Sequence, residues 1–225
     1  MKIASYDTKP TASAYGTLQK AFDFFNVELF DGQLPQCLIT FQRKKGAYGY
    51  YSPNRFSRVM EDSTGPARPE DTTDEIALNP MHFAERPTDY TLSTLVHEMV
   101  HLWQQHFGEA PRRCYHDRQW ARKMKEVGLQ PSTTGAEGGK ETGARVSHYI
   151  IEGGRYAEAF AKWSRRHTTP LFQDVALLLD KAAEAEKKKA SKTKFTCPQC
   201  QTNAWGKPEL NILCGDCEVK MESQD

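Results

Sequence analysis

The stretch Thr94–His106 reads TLVHEMVHLWQQH and sets His97, Glu98 and His101 inside an otherwise apolar run. Leu92, Leu95, Val96, Met99, Val100 and Trp103 recur along one broad helical face over residues 89–107, so this helix must pack against other elements. Gly108 and Pro111 end it. Residues four apart stand on one side of a helix, which aims the His97 and His101 imidazoles at a common point. Glu98 lies about 100° round the axis, close enough to reach a water at that point and poorly placed to bind an ion itself. Burying three such groups without partners is costly, and a bound metal removes the cost. The spacing is HExxH, the pattern in which two histidines hold zinc and the glutamate is the general base of a hydrolase.

A catalytic zinc takes three protein ligands and keeps one open position. His106 falls largely on another side of the helix from His101. The extended pattern HExxHxxGxxH would need glycine at 104 and histidine at 107, where this chain has Gln104 and Phe107. A glutamate ligand about twenty residues past the second histidine would fall at Trp120-Ala121, which cannot bind metal. Glu126 is further along. His116 precedes a helix expected from about 117 to 127, and the break after residue 107 lets that helix fold back on the first. His116 is therefore the favoured third ligand, with His82 and His148 as weaker candidates. His106 and His167 read as ordinary exposed side chains.

The end of the chain carries a second constellation. Cys197 and Cys200 form one Cys-x-x-Cys pair, Cys214 and Cys217 another, with thirteen residues between the pairs. Two such knuckles make a closed, four-thiolate zinc site, which is structural. A tail of roughly thirty residues cannot build a sufficient core, so metal supplies its folding energy. Cys37 and Cys114 stand alone. Lys187, Lys188, Lys189, Lys192 and Lys194 lead into the ribbon, and Trp205 and Lys207 lie on its middle segment, a combination compatible with DNA contact.

Other elements frame these two sites. Leu18, Phe22, Phe25 and Leu29 give residues 13–30 a helical face, closed by Asp31-Gly32. Residues 37–42 read as a strand, 46–51 as a turn into a second strand, 60–74 as a loop and 75–79 as a short strand. Residues 131–143 read as a surface loop, 144–167 alternate apolar clusters with charge, 171–190 read as a helix, and 186–194 as a tether. The 225 residues, 38% of them hydrophobic, suffice for one ordinary domain plus a small module. A net charge of +1 excludes a global polycation, so nucleic-acid binding would need a local patch. No apolar run approaches a membrane span, and the opening MKIASYDTKP lacks the apolar core of a signal peptide, so a cytoplasmic location is expected.

Taken in order, FNVELFDGQLP, CLITFQ, GAYGYYSP, DEIALNP, HEMVHLWQ and YHDRQWARKMKEVGL resemble the SprT-like family of zinc metallopeptidases, which includes the Spartan-type DNA–protein crosslink proteases. The segment PSTTGAEGGKETGARVSHYIIEGG is similar to a subgroup from bacteria and their mobile elements. The resemblance implies that His116 is the third zinc ligand and that the four cysteines form a zinc ribbon. The chain departs from the eukaryotic pattern after His116, where Asp117 and Arg118 replace a glycine and a proline. The expected architecture is α+β: a minigluzincin-like metalloprotease domain over 1–130, a loop and helical extension with a Lys-rich tether over 131–194, and a zinc ribbon over 195–225. Expected partners are a protein or peptide substrate, and DNA through the ribbon and tether, with no membrane. Expected cofactors are one catalytic and one structural Zn2+. Tyr149 or a nearby arginine is a guess for the oxyanion stabiliser. The rival reading is a nucleic-acid-binding or transcription-associated regulatory protein whose HExxH zinc is structural or vestigial.

Overall fold

The computed structural model describes residues 9–58, 71–110, 112, 115–169, 171–176 and 193–224. The chain divides into two compact units, Met1–Gln173 and Asp174–Asp225.

In the first unit, helix α1 spans Pro10–Phe30, with the proline at its start where no amide is needed. Its buried positions Leu18, Ala21, Phe22, Phe25 and Leu29 form the expected stripe. Asp31 takes the left-handed conformation that ends the helix. Asn26 then pins the turn: its amide donates to the Leu34 carbonyl at 3.1 Å, and its Oδ1 accepts the Leu34 N–H at 3.0 Å.

Strands β1 (Leu38–Phe41), β2 (Gly49–Ser57) and β3 (Thr72–Leu78) form a sheet in the order β1-β3-β2. β1 runs parallel to β3 and β2 antiparallel, with a register shift between Ser52 and Phe56. The segment expected as a loop over 60–74 therefore ends earlier, because residues 72–74 already belong to β3; residues 60–70 lie outside the described residues. Polar Thr72-Thr73-Asp74 does not read as a strand, yet Asp74 is buried with three donors around it. The Tyr51 hydroxyl donates at 2.8 Å, the Asn54 N–H at 2.7 Å, and His106 Nε2 stands at 2.7 Å.

Helix α2 spans Thr88–Phe107 and buries nearly every side chain from Thr91 to Val100. Helix α3 spans Arg118–Glu126 and is capped by Asp117, whose carboxylate accepts the Trp120 N–H at 2.9 Å. Gln104 of α2 donates to both oxygens of that carboxylate, at 3.0 and 2.9 Å, which ties the two helices together.

Gly128 ends α3 with φ +92, and a Cβ there would lie 2.6 Å from the Tyr156 amide nitrogen. This close approach brings in a second, two-stranded sheet, β4 (Leu129–Ser132) antiparallel to β5 (Ser147–Ile150), followed by helix α4 (Arg155–Arg166). The expected loop thus begins as a strand, and 144–167 resolve into a strand and a helix. Val146, Tyr156, Ala159 and Trp163 join the core with Phe25 and Leu92. Of the helix expected over 171–190, residues 171–175 are not helical, and 177–190 lie outside the described residues.

In the second unit, β6 (Thr193–Thr196), β7 (Asn203–Gly206) and β8 (Glu222–Gln224) form a sheet in the order β7-β6-β8. Phe195, Cys197, Cys214 and Met221 make its small core. The α+β class stands. Among the described residues no helix is long and apolar enough to cross a membrane.

Candidate metal centre

His97 and His101 project from the same side of α2, as their spacing requires. His116 joins them from the short segment between α2 and α3. The three ring centroids lie 5.3, 5.5 and 4.9 Å apart, and one nitrogen from each residue falls within 4.8 Å of the others. His82 pairs instead with Glu85, and Glu126 with Lys123. His106 is exposed and sits on Asp74, while His167 is half-buried and stacks on Trp163 at 4.0 Å.

The polar surroundings fix the tautomers. His116 exchanges two backbone hydrogen bonds with Gly143, at 2.9 and 3.0 Å, and its Nδ1 lies 3.1 Å from the Gly143 carbonyl. A carbonyl only accepts, so Nδ1 carries the hydrogen and Nε2 keeps its lone pair. His97 is fixed from behind by His148, which lies on β5 outside the converging trio of His97, His101 and His116. The Ser93 hydroxyl is 2.9 Å from the Tyr90 carbonyl, so it donates there. It then accepts from His148 Nε2–H at 2.8 Å, which leaves His148 Nδ1 to accept from His97 Nδ1–H at 3.1 Å. His97 Nε2 is left with a lone pair.

Burial keeps these rings neutral. It pushes His101 and His148 down to about 3, with His116 and Arg86 respectively adding to the effect. It drives His97 well below its ordinary value and lowers His116 as well. Neutral imidazoles with free lone pairs are what a borderline-soft divalent ion binds, so the donor set is compatible with zinc.

Glu98 is buried on the adjacent face of α2, and its carboxyl is pushed up to about 8 by burial, against the opposing pull of Lys44 and the Tyr51 backbone N–H. Gly49 makes room for it: a Cβ there would meet Glu98 Oε1 at 3.2 Å, Thr94 Cγ2 at 3.0 Å and the Ala77 carbonyl at 2.9 Å. Sequence reasoning passed over Trp120. Its buried ring centroid lies 4.4, 4.9 and 5.3 Å from those of His116, His97 and His101, forming an apolar wall for the cluster. Tyr149 pairs in register with Gln130, and no described contact joins it to the histidines.

The ribbon cysteines converge too, with one Sγ from each of Cys197, Cys200, Cys214 and Cys217 within 4.8 Å of the others. The two knuckles share one construction. The Cys197 and Cys214 carbonyls accept from Gln201 and Glu218 N–H at 3.0 and 2.8 Å, and in both turns that donor residue is left-handed. Backbone N–H groups reach two of the sulfurs, that of Thr202 toward Cys200 and those of Asp216 and Cys217 toward Cys214. Trp205 is 63% exposed and lies opposite Lys194 across β6–β7. The lysines at 187–189 and 192, on which the expected DNA contact largely rests, lie outside the described residues. Over 193–224 three lysines face four carboxylates, so that stretch has no basic field of its own. Cys114 also lies outside the described residues, and Cys37 is half-buried and free.

The helix-borne histidine pair and the third histidine form a group that could hold a metal ion, and a family match suggests a metallopeptidase-like domain. Residues 18–142, more than half of the chain, match the SprT-like family, and the chain belongs to that family. Over 47 residues it is 57% identical to "Uncharacterized protein in mucB 3'region" of Salmonella typhimurium, which is 21% of this chain and 64% of that protein. The match thus spans just under two thirds of that relative's length. No solved structure matches the chain.

Proposed function

We propose that the chain is a zinc-dependent endopeptidase acting on protein or peptide substrates. The observation that carries this reading is the meeting of three neutral imidazole donors within 4.8 Å beside the buried carboxyl of Glu98. His97, His101 and His116 would hold zinc, which would supply Lewis acidity, a more acidic water, and a charge favouring ionised Glu98. Glu98 then takes a proton from the water that attacks the peptide carbonyl and returns it to the departing amine. Its raised proton affinity suits both halves of that transfer. Trp120 keeps one side of the cluster dry, which strengthens every charge interaction there. The four-cysteine site is assigned a second, structural zinc.

Metal analysis and hydrolysis of an unfolded protein test the reading together. Wild type should carry two zinc ions per chain, Glu98→Gln two, and His116→Ala one. Glu98→Gln should lose hydrolysis by about 100-fold or more. Cleavage at the wild-type rate by Glu98→Gln would defeat the mechanism, and two zinc ions in His116→Ala would move the third ligand elsewhere.

A further inference from the structure

Arg86 stands just before α2, with its guanidinium half-buried between two tyrosine rings. The carbon Cζ lies 4.2 Å from the Tyr48 ring centroid and 5.3 Å from that of Tyr90. Nη1 donates to Thr94 Oγ1 at 3.1 Å, and Thr94 can accept because its own hydroxyl donates to the Tyr90 carbonyl at 3.2 Å. Among the described residues no carboxylate lies at ion-pair distance from Arg86; Asp89 influences it only at longer range. A cation withdrawn from water without an anion is costly, and the tyrosine faces offset only part of that cost. Most of its N–H donors remain unassigned, in a planar fork that matches a carboxylate.

The guanidinium lines a small hollow together with Tyr48, Leu78, Asn79, His82, Phe83, Thr91 and Thr94. Leu78, Phe83 and the Tyr48 ring give it apolar walls, Asn79, His82, Thr91 and Thr94 polar ones, and Arg86 its guanidinium. Thr94 sits one helical turn before Glu98 on the same face of α2. Both approach the Cβ position of Gly49, at 3.0 and 3.2 Å, so the cavity and the base flank one glycine of β2. An extended peptide advances about 3.3 Å per residue, so a group one or two residues from a scissile bond at Glu98 spans that turn.

We propose that the Arg86 cavity is a specificity pocket for a substrate carboxylate, supplied by an aspartate or glutamate side chain near the scissile bond or by the chain end. This rests on the peptidase reading above. The guanidinium takes the carboxylate through two parallel N–H···O bonds, and the Tyr48 and Tyr90 rings hold the fork in place for it.

The test uses the zinc-loaded full chain and a set of matched peptides. They carry Glu, Gln or Ala at each position flanking the scissile bond, and each is made with a free and an amidated end. Wild type should prefer the carboxylate-bearing peptides by about tenfold or more in kcat/KM, the scale of a charge-assisted pair. The preference should collapse to near unity in Arg86→Gln and survive in part in Arg86→Lys, with circular dichroism confirming that both fold. A preference that follows the free end alone assigns the pocket to the chain terminus; one that follows Glu alone assigns it to side chains. Equal rates for Glu and Gln peptides with either end in wild type would overturn the proposal. A second arm titrates the full-length Glu98→Gln variant calorimetrically with acetyl-Ala-Glu-Ala-amide, its Gln counterpart and acetyl-Ala-Gln-Ala with a free end. Hydrolysis of no peptide, with the Gln amide bound about tenfold more weakly than either carboxylate peptide, would sink the peptidase reading and leave the carboxylate pocket standing. Equal binding of all three sinks the pocket whatever the hydrolysis result.

Discussion

Glu98 gives a prediction whose size follows from its burial. In the metal-free protein its carboxyl is raised from 4.5 to about 8. At about 1.4 kcal/mol per pH unit, ionising it in place is opposed by about 5 kcal/mol relative to the unfolded chain. A raised carboxyl means that the folded state holds the proton more tightly, so stability falls as pH rises from 4.5 through about 8. Glu98→Gln presents a neutral amide of the same shape at every pH and lacks this loss. The buried histidines act in the opposite sense: their depressed values withdraw stability as pH falls below 6.5. They are common to both proteins, so the difference between wild type and variant isolates Glu98. Urea unfolding of the metal-stripped proteins, followed by far-ultraviolet circular dichroism from pH 4 to pH 9, measures it. The variant should gain on wild type by several kcal/mol across that range, with about 5 as the ceiling. Parallel curves, differing by a constant, would show that the carboxyl is not held out of water as described.

Two further perturbations address the supports of the site. His148→Leu removes the acceptor behind His97 and should weaken zinc binding at the histidine cluster by about 10–100-fold in a chelator competition. His148→Gln restores an acceptor oxygen and should recover part of the loss; equal affinities in all three proteins would dismiss the orienting role. Gly49→Ala places a methyl 2.9 Å from the Ala77 carbonyl and 3.2 Å from Glu98 Oε1. It should cost about 1–3 kcal/mol in thermal unfolding, and an unchanged midpoint would contradict the close packing of β2 on α2.

What the chain disclosed in advance was what lies close along it. His97, Glu98 and His101 fall within five consecutive residues of one apolar helix, so their geometry follows from helical rise alone. His116 was reachable because a break and a new helix start bracket it. His148 was weighed only as a ligand, since its role as a support needs the β4–β5 register that turns it toward α2, 51 residues away. That sheet was hidden by Pro131 and by the small polar residues after it, which read as loop. Helix α4 buries Tyr156, Ala159 and Trp163 at helical spacing, but Gly153-Gly154 and its arginines obscured the stripe. Strand β3 began early because Asp74 gains three tertiary partners that no local pattern announces.

His116 is not part of a helix; it is clasped backbone to backbone by Gly143, at the far side of the 133–143 excursion. Two of the candidate ligands thus ride on a deeply buried helix, while the third hangs from a surface strap. Anything that tugs that strap, whether a bound molecule or an inserted residue, is felt at the third imidazole with no side chain in between.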